Sequence, residues 1–163
     1  MPYVSLRPGA FLGGGSARFF AKSLPQGKLM PFAPPDARYS WIHPDDVARC
    51  LALAVDEPRA VGRKIDLGSD RAVDAHELAR LVGDAMGKPV RLDNFTGTMF
   101  RGVATVVGMF SERMRDMVAM VRFFETGQYV ADTTVQAELF GPVPTMEETV
   151  RKMLVELGIP IQA

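Results

Sequence analysis

Residues 39–68, YSWIHPDDVARCLALAVDEPRAVGRKIDLG, constrain this fold most, because they spell a complete strand–helix–strand unit. Tyr39, Ser40, Trp41 and Ile42 have the aromatic and β-branched character of a half-buried strand. Pro44 then suits the first helical position, where a missing N–H costs nothing. Asp45 and Asp46 follow in the first turn, where free N–H groups and the positive end of the helix dipole favour anions. Val47, Cys50, Leu51 and Ala54 recur at helical spacing and predict one apolar face. Glu57-Pro58 ends the helix, and residues 64–67 (KIDL) predict a second strand closed by Gly68.

Capping and dipole complementation account for Asp45 and Asp46. A catalytic carboxylate pair needs opposed environments that split the two pKa values, and adjacent residues in an exposed turn lack them. His43 reads in the same way, as a strand-end or cap residue with no partner nearby in sequence.

The flanking stretches extend the alternation. Residues 3–6 (YVSL) predict a strand ended by Arg7-Pro8-Gly9, and Ser16 is a candidate cap for a helix over 16–24. Residues 25–36 hold four prolines and predict a loop with at most a short extended piece. Asp74 and Glu77 form a D-x-x-E capping box ahead of Leu78, Leu81, Val82 and Ala85, with Gly87 where the helix stops. His76 falls in that helix's exposed first turn, and residues 90–92 predict a short strand. Thr145 and Glu148 form a second box, and Met146, Val150, Met153, Leu154 and Leu157 line the helix that Gly158 closes.

Residues 94–127 differ in kind. They carry Met99, Met109, Met114, Met117 and Met120, with Phe95, Phe100, Phe110, Phe123 and Phe124. Helical spacing fits 99–110 and 111–124, and such side chains suit either plain core packing or an irregular apolar ligand.

Composition narrows the function classes. Nineteen basic residues balance nineteen acidic ones, which argues against a nucleic-acid partner. The lone cysteine excludes a disulfide framework, and two histidines without ligand spacing predict no metal site. The longest apolar run, 103–110, is too short to span a bilayer, and no secretory pattern opens the sequence, so the expected location is cytoplasmic.

The glycine run of residues 9–16 (GAFLGGGS) raises a phosphate loop, but Gly15 stands where that loop needs lysine. No G-x-G-x-x-G with a following acidic residue is present, and no G-x-S-x-G elbow. A Tyr followed four residues later by Lys is also missing: the pairs are Tyr3/Arg7, Tyr39/His43 and Tyr129/Thr133. The catalytic residues are therefore unknown at this level.

Taken in order, Y-V-S-L-R-P-G-A-F, W-I-H-P-D-D-V-A, G-R-K-I-D-L-G and D-A-H-E-L-A-R-L-V-G-D-A-M-G-K-P-V resemble the C-terminal half of an atypical or extended short-chain dehydrogenase/reductase. The nearest flavour is the NmrA-like, NAD(P)-binding branch of the epimerase/dehydratase superfamily. The resemblance covers residues 3–92 well and continues loosely into F-G-P-V-P-T and the last helix. It implies an α/β chain: part of a Rossmann-like, doubly wound parallel sheet over 1–93, with a mainly helical substrate-side region over 94–163. It implies NAD or NADP as cofactor, bound weakly or not at all by this chain alone. The glycine-rich loop and the Tyr/Lys pair belong to the part of the family pattern that has no counterpart here. Arg7, Pro8, Gly9, Ala10 and Phe11 would flank the nicotinamide end, since ligands bind outside the carboxyl ends of strands. Met99, Phe100, Phe110 and Met114 would face a small apolar or carbonyl substrate. An interior strand at residues 3–6 would also present an open edge, filled by a missing N-terminal half or by another copy. Two other readings remain: a non-catalytic ligand-binding or regulatory module of the same lineage, and an interaction protein docking through that edge.

Overall fold

Gly9 divides the first extended segment in two. In the computed structural model, which describes residues 2–31, 34–93, 116, 119, 123, 126 and 129–162, strand β1 (Ser5–Pro8) runs parallel to β5 (Lys64–Leu67). Beyond Gly9, β2 (Ala10–Phe11) leaves β5 and runs parallel to β4 (Trp41–Ile42). The hand-over is visible in successive amides: Gly9 N–H donates to Leu67 O at 2.8 Å, and Ala10 N–H donates to Ser40 O at 2.8 Å. Consecutive strand amides normally point to opposite sides, so this is a bulge-like kink. On the far side of the wedge, Ser69 N–H donates to Trp41 O at 2.7 Å. Strand β4 therefore enters between the diverging ends of β1 and β5. A third parallel pair joins β3 (Lys28–Leu29) to β6 (Arg91–Leu92).

Helices cover two faces. Trp41 and Ile42 are neighbours in β4, yet strand alternation sends them to different apolar clusters. One cluster gathers Ile42, Cys50, Ile65 and Leu67 under α2 (Pro44–Val55) and α4 (Thr134–Phe140). The larger one gathers Trp41, Phe20 and Leu29 with α3 (Ala75–Met86) and α5 (Met146–Glu156). Burial pushes the Cys50 thiol up, consistent with a packing role.

Most local expectations are met. Pro44 opens α2, Gly87 ends α3 in the left-handed conformation, and the Thr145/Glu148 box is closed in both directions; the Asp74/Glu77 box is closed in one direction, with Asp74 accepting from Glu77 N–H while the Glu77 carboxylate turns to Arg38 and Arg71. Three need correction. Ser16 caps no helix: its Oγ turns back to donate to Phe11 O or Gly13 O, and the expected helix over 16–24 shrinks to α1 (Ala17–Ala21) between short 3-10 turns. His43 caps α2 as expected, but Asp46, expected in an exposed turn, is buried. Leu51, expected on the buried face, is 55% exposed. The helices expected over 99–110 and 111–124 lie outside the described residues, apart from the isolated positions named above.

Arg71 ties the starts of α3 and α5 together, 2.7 Å from Glu147, 3.1 Å from Glu77 and 3.0 Å from Asp70. The Arg71 hydrogen bond is the main reason the Glu147 carboxyl sits below its ordinary range. A depressed carboxyl contributes stability that is present above the unfolded pKa and lost as pH falls through the folded one. Glu147 is half exposed, so water screens most of this. Arg71→Ala is expected to cost about 1 kcal/mol at neutral pH. Denaturation curves of the variant and the parent should converge as pH falls through the depressed Glu147 value.

Candidate functional site

Three strand ends meet at Ser40. Its carbonyl accepts from Ala10, its N–H donates to Tyr129 O at 2.9 Å, and its Oγ accepts from Ala131 N–H at 2.9 Å. Glycines flank it because nothing larger fits. A Cβ at Gly9 would lie 2.6 Å from Ser40 O and 3.0 Å from Ser40 C, and one at Gly68 would crowd Ala131, Thr133 and Ser40. Gly9→Ala is expected to cost about 2 kcal/mol by overpacking against backbone that cannot yield. A fall in the urea midpoint with an unchanged m-value would show it.

Above this junction, Tyr129 donates its phenol to Pro8 O at 3.1 Å, and its ring meets Phe123 edge-on at 5.6 Å. Burial raises the phenol pKa. The segment from Tyr129 to Thr133 thus covers the carboxyl ends of β1 and β5 and the amino end of β4; carboxyl ends of strands are where open α/β sheets bind ligands. Arg7 leans away from that crevice, with Nε 2.7 Å from Asp66 Oδ1 and the side chain 55% exposed. Pro8 and Gly9 stand at the junction, Ala10 follows in β2, and Phe11 is 45% exposed. Met99, Phe100, Phe110 and Met114 lie outside the described residues.

The glycine run is already engaged by the protein itself. Gly14 N–H donates to Glu156 Oε2 at 2.8 Å, and a Cβ at Gly13 would strike the His43 ring at 2.6 Å. His43 is buried, accepts from Asp45 N–H at Nδ1, and places Nε2 3.3 Å from the same Glu156 oxygen. A carboxylate holding the loop amide is the opposite of a phosphate cradle. This glycine run is therefore not a seat for a dinucleotide pyrophosphate, and we assign this chain no step through that cofactor.

No cluster of potential metal ligands occurs among the described residues, and no helix among them is long and apolar enough to cross a membrane. An open groove of about 860 Å³ runs along α3, walled by Arg80, Asp84, Lys88 and Arg91. It shares no residue with the strand-end junction, and its walls mix charged side chains with Ala79, Val90 and Leu92. We place the candidate site at the junction.

Sequence reasoning missed Ser40 and Tyr129 as members of this site, and Glu156 at the glycine run beside it. Tyr129 was legible only as one half of an unfilled Tyr/Lys pattern, and Glu156 reaches Gly14 across 142 residues of chain.

No family model and no curated protein matches the chain. Solved structures do. A nucleoside-diphosphate-sugar epimerase from Staphylococcus aureus superposes with a TM-score of 0.71 at 17% identity, over 93% of this chain and 52% of its own. The triphenylmethane reductase of Citrobacter sp., solved with NADP(H), gives 0.69 at 18% identity, over 94% and 54%. An NADPH-dependent quinone oxidoreductase from Escherichia coli, solved with NADPH, gives 0.67 at 23% identity, over 93% and 54%. The chain spans about half the length of these neighbours. At such identities the likeness speaks for architecture alone: the chain has an α/β fold of the Rossmann-like kind.

Proposed function

We propose that this chain is the C-terminal, substrate-side portion of an NAD(P)-dependent oxidoreductase or epimerase-like protein. The supporting observation is the junction of β1, β4 and β5 at Ser40, roofed by Tyr129, beside a glycine run whose amide is taken by Glu156. The chain offers a crevice wall without a phosphate seat.

In this reading Arg7, Pro8, Gly9, Ala10 and Phe11 border the nicotinamide end. They contribute backbone and apolar wall, since Arg7 is held by Asp66. Met99, Phe100, Phe110 and Met114 face a small apolar or carbonyl substrate. The whole protein transfers hydride between nicotinamide and that substrate, and this chain shapes the pocket without acid–base work.

Titrating the chain with NADH and NADPH tests the reading. The expected result is no turnover and no saturation at micromolar cofactor. Micromolar binding to this chain alone would mean that the phosphate seat has been misplaced.

A further inference from the structure

We propose that the groove along α3, with the outer face of the β3–β6 pair beside it, docks an acidic, extended segment of a partner polypeptide. No residue of the strand-end junction takes part, so this surface stands apart from the function proposed above.

The groove exists because its floor is small. Ala79 and Gly83 lie one turn apart on α3, both buried, and the chain beyond Gly87 turns back against them. A Cβ at Gly83 would lie 3.0 Å from Lys88 O and 3.3 Å from Val90 N, so the returning chain meets the helix backbone directly. Val90 and Leu92 add partly buried apolar surface. Arg80, Lys88 and Arg91 stand exposed on the walls.

The cations on this side are not balanced from within. Lys28 and Arg91 are register partners in the parallel β3–β6 pair, so both side chains project from the same face of neighbouring strands. Both are exposed, and neither forms an ion pair. Like charges set directly opposite each other weaken a sheet, so folding alone does not account for this pair. Lys88 Nζ donates to Pro25 O at 2.9 Å, in the turn that leads into β3, which holds a third cation at the same end without neutralising it. The neighbouring acids offset little. Asp84 is taken by Arg80 at 3.1 Å, Asp36 lies 3.7 Å from His76, and Asp93 follows Arg91 on the same face without an ion pair.

Shape and charge together select the occupant. From His76 to Gly87 the groove follows about 16 Å of helix, which matches about five residues of extended chain. It is open along that length, whereas a small-molecule site encloses most of its ligand. Nineteen basic residues against nineteen acidic ones give the chain no overall field for nucleic-acid phosphates. A segment alternating acidic and apolar side chains meets both the cations on the walls and the floor of Ala79, Val90 and Leu92.

Fluorescence anisotropy of the full chain with a short labelled peptide alternating glutamate and valine tests this. Saturable binding that weakens as salt rises is expected, with none to a peptide alternating lysine and valine. Arg91→Glu should weaken the binding about tenfold or more and yet raise the urea midpoint, because it turns a like-charge register pair into an opposite one. A merely structural role would not move the two readouts in opposite directions. Arg151→Glu makes the same change of net charge at an exposed position of α5 outside the groove, and should leave the affinity unchanged. Equal losses in the two variants overturn the proposal. So does a glutamate peptide that never saturates, or tighter binding of a single-stranded oligonucleotide of the same net charge.

Discussion

Gln136→Leu is expected to lower the folding stability of this chain by about 3 kcal/mol, without a large change in side-chain volume. Gln136 lies in α4 with no exposed surface. Its Oε1 accepts from Gly68 N–H at 2.8 Å, and its Nε2 donates to Gly68 O at 3.2 Å. Leucine fills much the same space, so the cavity contribution is small, and the effect isolates the two hydrogen bonds. Both lost partners are buried backbone groups, and each one left unsatisfied costs about 1–3 kcal/mol. Gln136→Glu keeps the acceptor, loses the donor and buries a charge, so it should be no better tolerated. Urea unfolding reads the result as a shifted midpoint at constant m-value. A loss below about 1 kcal/mol would mean that water replaces the amide at Gly68.

Gln136 also marks the boundary of what the sequence can disclose. Pro44, Gly87 and the Thr145/Glu148 box were legible because their causes are local: a fixed φ, a left-handed cap, and side chains that reach three residues along the chain. The parallel pair β1–β5 followed from the strand–helix–strand pattern and the resemblance it carried. Contacts across long separations leave no periodic trace. Gln136 reaches Gly68 over 68 residues, Ser69 Oγ meets Thr149 over 80, and Lys152 meets Asp46 over 106.

Leu51 shows a different failure. In α2 the residues at 47, 50 and 54 and those at 48, 51, 52 and 55 are all apolar. Periodicity alone cannot say which stripe is covered when both qualify. The structure covers the first and exposes the second. The candidate site was legible in part for a related reason. Gly9 could be read as a strand terminator, but the wedge of Ser40 between Gly9 and Gly68 depends on backbone approach that no side-chain pattern encodes.

The second large effect is expected at Lys152. Its Nζ lies 2.6 Å from Asp46 Oδ1, and the Asp46 side chain is only 8% exposed. The other carboxylate oxygen, Oδ2, is buried with no hydrogen-bond partner among the described residues. Removing one member of a buried pair costs about 3–5 kcal/mol, because the remaining charge stays out of water. Lys152 itself is 41% exposed, and the N-terminus of α2 still favours an anion. Lys152→Met should therefore fall below that range, at about 2–3 kcal/mol. One turn along α5, Glu156 holds Gly14 N–H and faces His43 Nε2. Both contacts strap α5 to the start of α2, so loosening Lys152 should also raise amide exchange at Gly14. Asp46→Leu removes the orphaned charge, and in combination with Lys152→Met it should recover about half of the loss. Additive losses in that double-mutant cycle would show that water already solvates Asp46, and that the strap is carried by Glu156 alone.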